Sequence, residues 1–197
     1  TISRDLHDDI GGTLSSIHIL TEVARQKALQ QQGPEAAGIL EKVNTLALEM
    51  VGRMGDTIWA INPSNDNPGK LLERLRHQFL PACTAKGIRL ELHTQGGLHA
   101  VTADMNKRKQ VYMIAKEILN NALKHSGCSQ LMMHAAYTGK RFQLAVTDNG
   151  KGFDTSLSPT GNGLRNIRER VAALKGELEI TTAPGKGTSI ILSFPMS

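Results

Sequence analysis

Apolar or small residues recur near the start of the chain at Leu6, Ile10, Thr13, Ile17, Leu20 and Ala24, spaced alternately by four and three. That is the heptad seam of an amphipathic helix with a narrow apolar stripe. The helix is expected to run from about Ser3, a suitable N-cap, to Gln32, with Gly33-Pro34 stopping it. A second run repeats the spacing at Ile39, Val43, Leu46, Met50, Met54, Thr57 or Ile58, and Ile61. Asn62-Pro63 closes it, because the residue before a proline is pushed out of the α region. At 1.5 Å per residue each helix is roughly 40 Å long. A short turn between them makes an antiparallel hairpin. One hairpin cannot cover both apolar stripes, so a homodimeric four-helix bundle is expected.

The first helix carries Arg4-Asp5-Leu6-His7-Asp8-Asp9-Ile10-Gly11-Gly12. With Ile10 and Ile17 as position a, Leu6 is a d and His7 an e, flanking the packed seam, while Asp8 points further out. On this segment alone His7 reads either as a solvated polar residue or as an imidazole open to a large partner.

The chain has 197 residues, enough for one large or two small domains. Its net charge of +5 is spread along the chain, and the densest cluster, Lys107-Arg108-Lys109, has no interleaved aromatics. Direct nucleic-acid binding is therefore not expected. Cys83 and Cys128 are far apart and lack metal-ligand spacing, which fits a reducing compartment and a cytoplasmic location. No apolar run reaches the ~18 residues of a bilayer span. The chain begins at Thr1 just before the seam, which predicts a fragment; any membrane attachment would come through a missing amino-terminal segment.

After residues 1–62 a polar, turn-rich linker is expected over 63–70, and the pattern of 71–197 is mixed α/β. Helices are predicted at 71–86, 103–126 and 164–174. Strands are predicted at 88–93, 130–137, 141–148, 177–182 and 188–194, with a short one at 98–102. The expected fold is α+β: the helical hairpin, then a two-layer α/β sandwich with a largely antiparallel sheet.

Three stretches of this half can carry chemistry. On the helix at 103–126, Glu117, Asn121 and either Lys124 or His125 form one polar stripe opposite Val111, Ile114, Ala115 and Ile118. A carboxylate, an amide oxygen and a cation in line suit a hydrated Mg²⁺ beside phosphate oxygens, and also suit a solvated helix face. In the strand at 141–148, Asp148 continues the inward series Phe142, Leu144, Val146. An unpaired carboxylate there is expensive, and a ligand that donates a hydrogen bond, such as the exocyclic amine of adenine, would resolve the conflict. The glycines of Asn149-Gly150-Lys151-Gly152 let a flat ring approach the backbone. The third stretch, Gly161-Asn162-Gly163-Leu164, opens a helix whose exposed N–H groups suit phosphate. Neither a P-loop nor a dinucleotide Gly-x-Gly-x-x-Gly is present.

In that order, Glu117-Ile-Leu-Asn-Asn121-Ala-Leu-Lys-His125, Asp148-Asn-Gly-Lys-Gly152 and Gly161-Asn-Gly-Leu164 resemble three boxes of the ATPase superfamily shared by gyrase, the 90 kDa heat-shock chaperone, the mismatch-repair protein MutL and histidine kinases. The resemblance covers about 71–194, and His7-Asp8 on a dimerising hairpin selects the last member. The whole chain looks like the catalytic core of a two-component sensor histidine kinase. It is most similar to the subclass whose regulators carry a helix-turn-helix DNA-binding domain.

The resemblance implies that Asn121 ligates Mg²⁺, that Asp148 binds the adenine amine of ATP with Thr188 nearby, and that Gly150 and Gly152 shape the base pocket. It also implies that Gly161 and Gly163 cradle phosphates with Lys124 and His125 close to the chain, and that Phe153 to Thr160 forms a small lid. The implied reaction is transfer of the γ-phosphoryl group to His7, with Asp8 or else Glu117 orienting or deprotonating the imidazole, and then to an aspartate of a response-regulator receiver domain. Family members that dephosphorylate their regulator commonly place an amide side chain four residues after this aspartate. Here that position is Gly12, so little phosphatase activity of that type is expected. The alternatives are a serine/threonine kinase of the same superfamily, against which the hairpin argues, and a dimeric ATP-binding scaffold without phosphotransfer.

Overall fold

The computed structural model describes residues 2–62, 65, 67–98, 104–138, 140–154 and 163–196, with the backbone alone for 2–9, 53, 60 and 61. It divides into two compact units, Thr1–Trp59 and Ala60–Ser197.

The first unit is the expected hairpin, α1 (Ile2–Leu29) and α2 (Gly33–Ile61). The end of α1 differs from the sequence expectation. Gln31 is left-handed, at φ 60. Its N–H bonds the Ala28 carbonyl at 3.1 Å, and the Gln32 N–H bonds that of Lys27 at 2.9 Å. This paired closure ends the helix before Gly33-Pro34 is reached. Gly33-Pro34 instead opens α2, since proline suits a first turn whose N–H groups have no helical partner. An ion pair between Lys27 and Glu35, 2.8 Å long, spans the turn.

Ile10, Thr13, Ile17 and Leu20 are half-buried and Ala24 is buried on one stripe of α1, facing Ile39, Val43, Leu46, Met50 and buried Thr57. Thr57 therefore takes the seam position rather than Ile58, and Met54 turns outward. A second apolar stripe on α2 is left open: Leu48, Val51 and Ile58 are 65%, 65% and 59% exposed.

The second unit begins with α3 (Pro68–Ala85), earlier than predicted, because Pro68 sits in the first turn and the Asn67 side chain caps it by accepting the Gly69 N–H at 2.7 Å. There follow β1 (Arg89–Gln95), α4 (Met105–Asn121), β2 (Gln130–Tyr137), β3 (Arg141–Asp148), α5 (Gly163–Ala173), β4 (Glu177–Thr182) and β5 (Thr188–Pro195). The sheet order is β1-β2-β3-β5-β4; β1 and β2 are parallel and the other pairs antiparallel. The strand predicted at 98–102 falls almost wholly outside the described residues.

The helices pack on one face of this sheet, which makes the two-layer sandwich. Leu131 and Met133 from β2, Phe142, Leu144 and Val146 from β3, and Ile190, Leu192 and Phe194 from β5 point into the core against Leu72, Leu75, Tyr112, Ile114, Leu119 and Ile167. The period-two alternation of three neighbouring strands thus lines up on one side. The basic cluster is absorbed structurally: Arg108 is buried, which pulls its pKa down, and the Lys107 ammonium bonds the Pro195 carbonyl at 3.0 Å. None of the described helices is long and apolar enough to cross a membrane.

Phe142 is 1% exposed and its ring lies 5.3 Å from that of Phe194, centroid to centroid. Phe142→Ala is expected to destabilise the sandwich by about 3–5 kcal/mol. Urea unfolding of the variant read at the sheet checks this; a midpoint within error of the parent would contradict the core assignment.

Candidate functional site

A cleft of about 430 Å³ opens between the end of α4 and the ends of β3 and β5. Ile118, Ala122, Val146 and Ile190 give it apolar walls, and Asp148 is the carboxylate among its lining residues. Asp148 is 8% exposed. Burial pushes its pKa up, against the Gly150 and Thr188 backbone N–H groups, which stabilise the charge. The Gly150 bond to Oδ1 is 2.8 Å.

Main-chain segments pack closely against one another around the end of β3. Gly187 is left-handed at φ 70, and a Cβ there would collide with the Asp148 carbonyl. Gly152 is left-handed at φ 58, and a Cβ would collide with the Ala183 carbonyl. At Gly150 the obstruction is Ser126. The Asn149 side chain holds the strand end: its Oδ1 accepts the Ser129 and Gln130 N–H groups at 3.0 and 2.9 Å, and its Nδ2 donates to Ser129 Oγ at 2.9 Å. It supplies β2 with the acceptors that a longer β3 would have offered.

The helix wall ends in a π-turn, Ala122–Ser126, closed by Gly127 at φ 63. Such widened turns accompany functional sites because they redirect side chains. His125 lines the cleft, whereas Lys124 is exposed and lies outside its lining. The Lys86 ammonium bonds the Leu123 carbonyl at 2.7 Å, satisfying a carbonyl of the widened turn. On α4 the Asn121 Nδ2 donates to Glu117 Oε1 at 3.4 Å, which leaves the amide oxygen as an acceptor. Gly163, at the start of α5, packs against this pair so closely that a Cβ would lie 2.5 Å from Glu117 Oε1 and 3.2 Å from Asn121 Nδ2.

Of the residues singled out in sequence, Asn121, His125, Asp148, Gly152, Gly163, Leu164 and Thr188 line the cleft together. Glu117 and Gly150 support it from behind. Gly161 and most of the expected lid, 155–160, lie outside the described residues. His7 and Asp8 belong to α1 of the other unit, and their side chains are likewise outside the described set. Sequence reasoning missed Ser126; Phe153 was expected only as the start of the lid, and Ile118 and Val146 only as apolar core positions, and all three line the cleft. Val146 and Ile190 were legible in principle, since they precede Asp148 and follow Thr188 by two on the same strand faces; Ser126 had no local signal, and Gly187 was legible only as a glycine of the hairpin turn.

Asn121 fits a Mg²⁺ ligand chemically. Among the described residues no group of three His, Cys, Asp or Glu side chains forms a metal cage. A hydrated Mg²⁺ held largely by phosphates needs only one hard oxygen from the protein.

Residues 106–197 match the family described as histidine kinase-, DNA gyrase B- and HSP90-like ATPase, and residues 1–66 match a histidine kinase family. The signal transduction histidine-protein kinase/phosphatase UhpB of Salmonella typhimurium is 25% identical over 97% of this chain and 38% of that protein. The sensor histidine kinase MctS of Rhizobium johnstonii is 27% identical over 100% of this chain and 42% of that protein. The chain thus spans about two-fifths of the length of these relatives. The solved Acinetobacter baumannii histidine kinase AdeS shares the fold, with a TM-score of 0.66 at 15% identity over 93% of this chain and 97% of that one. The helical hairpin and the ATP-binding sandwich each match their counterpart, and the chain belongs to the histidine kinases as their two-domain catalytic core.

Proposed function

We propose that this core takes the γ-phosphoryl group of ATP onto His7 and passes it to an aspartate of a response-regulator receiver domain, in a regulator of the helix-turn-helix class. The observation that carries the ATP reading is Asp148, an acid placed at an inward strand position at the end of an apolar cleft. Its Oδ1 holds Gly150, and the carboxylate keeps acceptor capacity for the adenine amine. Gly150 and Gly152 let the base lie against backbone, and Thr188, paired with Asp148 across β3 and β5, sits beside it.

At the other end Asn121, His125 and Gly163 at the start of α5 line the cleft where the triphosphate would lie, and Lys124 and Gly161 keep the phosphate roles that the family resemblance implies. Mg²⁺, held by the Asn121 oxygen and the phosphates, would neutralise the developing charge. Phosphoryl transfer depends on this positioning more than on covalent chemistry by the protein. The nucleophile is a ring nitrogen of His7 in its neutral form. Asp8 is the first choice to orient the imidazole or take its proton, and Glu117, held beside Asn121, the second. The domain plan we adopt is 1–62 for dimerisation and phosphoacceptor, 63–70 for the linker and 71–197 for ATP binding. The open stripe on α2 supports a homodimer through the hairpin, since a monomer leaves Leu48, Val51 and Ile58 in water.

Incubation with ATP and Mg²⁺ is expected to give a base-stable, acid-labile phosphoprotein. His7→Ala should abolish the label while ATP still binds; a label of unchanged intensity refutes the phosphoacceptor. Asp148→Asn should lower ATP affinity about a hundredfold, because an amide offers one acceptor where the carboxylate offers two oxygens. The same change should stabilise the ligand-free domain at pH 7. The folded pKa of Asp148 is raised above the unfolded value near 3.8, so the native state loses stability as pH rises through the raised value. The advantage of the Asn variant is therefore full above that value and vanishes on acidification towards 3.8; thermal melts against pH read it directly.

Val51→Glu combined with Ile58→Glu should convert a sedimenting dimer to a monomer with its helix content intact. Gly12 lacks the amide that would position a water, so a purified phospho-regulator should decay at nearly its intrinsic rate in the presence of this core. Acceleration of tenfold or more that depends on the hairpin would contradict that expectation.

A further inference from the structure

Ser126 is buried in the cleft wall, yet its hydroxyl is engaged with the protein. Oγ donates to the Ala122 carbonyl at 2.7 Å and accepts the Cys128 backbone N–H at 3.1 Å. In an α-helix the Ala122 carbonyl would pair with the Ser126 amide; in the widened turn the hydroxyl stands in at that carbonyl. The Ser126 backbone oxygen accepts the Lys151 N–H at 2.9 Å. Its Cβ fills the space above Gly150, where an added Cβ would lie 2.7 Å from Ser126 Cβ and 2.8 Å from Asp148 Oδ1. Gly150 in turn donates to Asp148 Oδ1 at 2.8 Å. A continuous set of contacts thus runs from the π-turn through the Gly150-Lys151 turn to the carboxylate.

We propose that Ser126 is a positioning residue for base selection. By locking the π-turn against Gly150-Lys151 it fixes the direction of the Asp148 carboxylate, and with its only donor committed to Ala122 it acts on the nucleotide through Asp148. The proposal rests on the reading of this cleft as an adenine site. It separates two tasks of the cleft wall: Asn121 and His125 serve the phosphates, whereas Ser126, on the same turn, serves the base.

The test compares the dissociation constants of ATP and of purine riboside triphosphate, which lacks the exocyclic amine, for the full chain. The parent should prefer ATP about a hundredfold, because the analogue leaves a buried acceptor unpaired. Ser126→Ala should weaken ATP about tenfold or more and the analogue little, so the preference narrows. Both ligands are measured on one preparation, and an unfolded fraction would scale both constants alike and leave their ratio unchanged. Gly150→Ala, which disturbs the same contact from the opposite side, should narrow the ratio as well. An undiminished ratio in Ser126→Ala, with both ligands weakened equally, would overturn the proposal. A parent that binds both triphosphates alike would instead overturn the adenine reading itself.

Discussion

The sandwich is organised around a charge kept in a place that disfavours it. Asp148 occupies a position in β3 that the strand's alternation assigns to the core, and its burial raises its pKa although two backbone N–H groups support the carboxylate. Around it, backbone segments approach within distances that no side chain allows: Gly150 under Ser126, Gly152 against Ala183, and Gly187 against Asp148 itself. The glycines of this region are therefore a requirement of close main-chain packing around the end of β3, with Gly150 alone set against the carboxylate.

The opposite wall solves a different problem. The end of α4 must present Asn121 and His125 to the cleft and also meet the turn after β3. A regular α-helix would give Ala122 the Ser126 amide as its partner; the π-turn frees that geometry, and the Ser126 hydroxyl, the Lys86 ammonium and left-handed Gly127 compensate. Because Lys86 follows α3 and Leu123 belongs to the turn, this side-chain bond ties the end of α3 to the cleft wall, in addition to core packing.

How legible this was in the chain depended on whether the cause was local. The alternation in β2, β3 and β4 marked those strands to the residue, because one buried face per strand leaves a period-two signature. For the same reason Asp148 stood out as an acid in an apolar series. Helix ends were less legible. Proline after glycine at 33–34 and proline at 68 read as breaks, and both proved to be first-turn residues; α1 instead ended on Gln31, a residue with no composition signal for a left-handed turn. The π-turn was invisible, since its causes are partners distant in sequence, Lys86 and Lys151. That invisibility left the choice between Lys124 and His125 open until the structure placed His125 in the wall. Ser126 was missed on the same grounds: its importance lies in what another segment does against it.

The two units also differ in how complete they are. The sandwich buries its apolar residues within itself, with few large apolar side chains exposed beyond Leu80 and Met105. The hairpin buries one stripe and leaves a second open, so its stability depends on something the single chain does not supply. On the proposed reading, association belongs to the hairpin and nucleotide recognition to the sandwich. On the proposed reaction, the phosphoryl group must pass from the self-sufficient unit to the one whose open stripe the proposed second copy would cover. That division explains why a sequence can keep an ordinary heptad seam next to His7. The seam has only to hold the helix in register, while the proposed selectivity for adenine centres on Asp148.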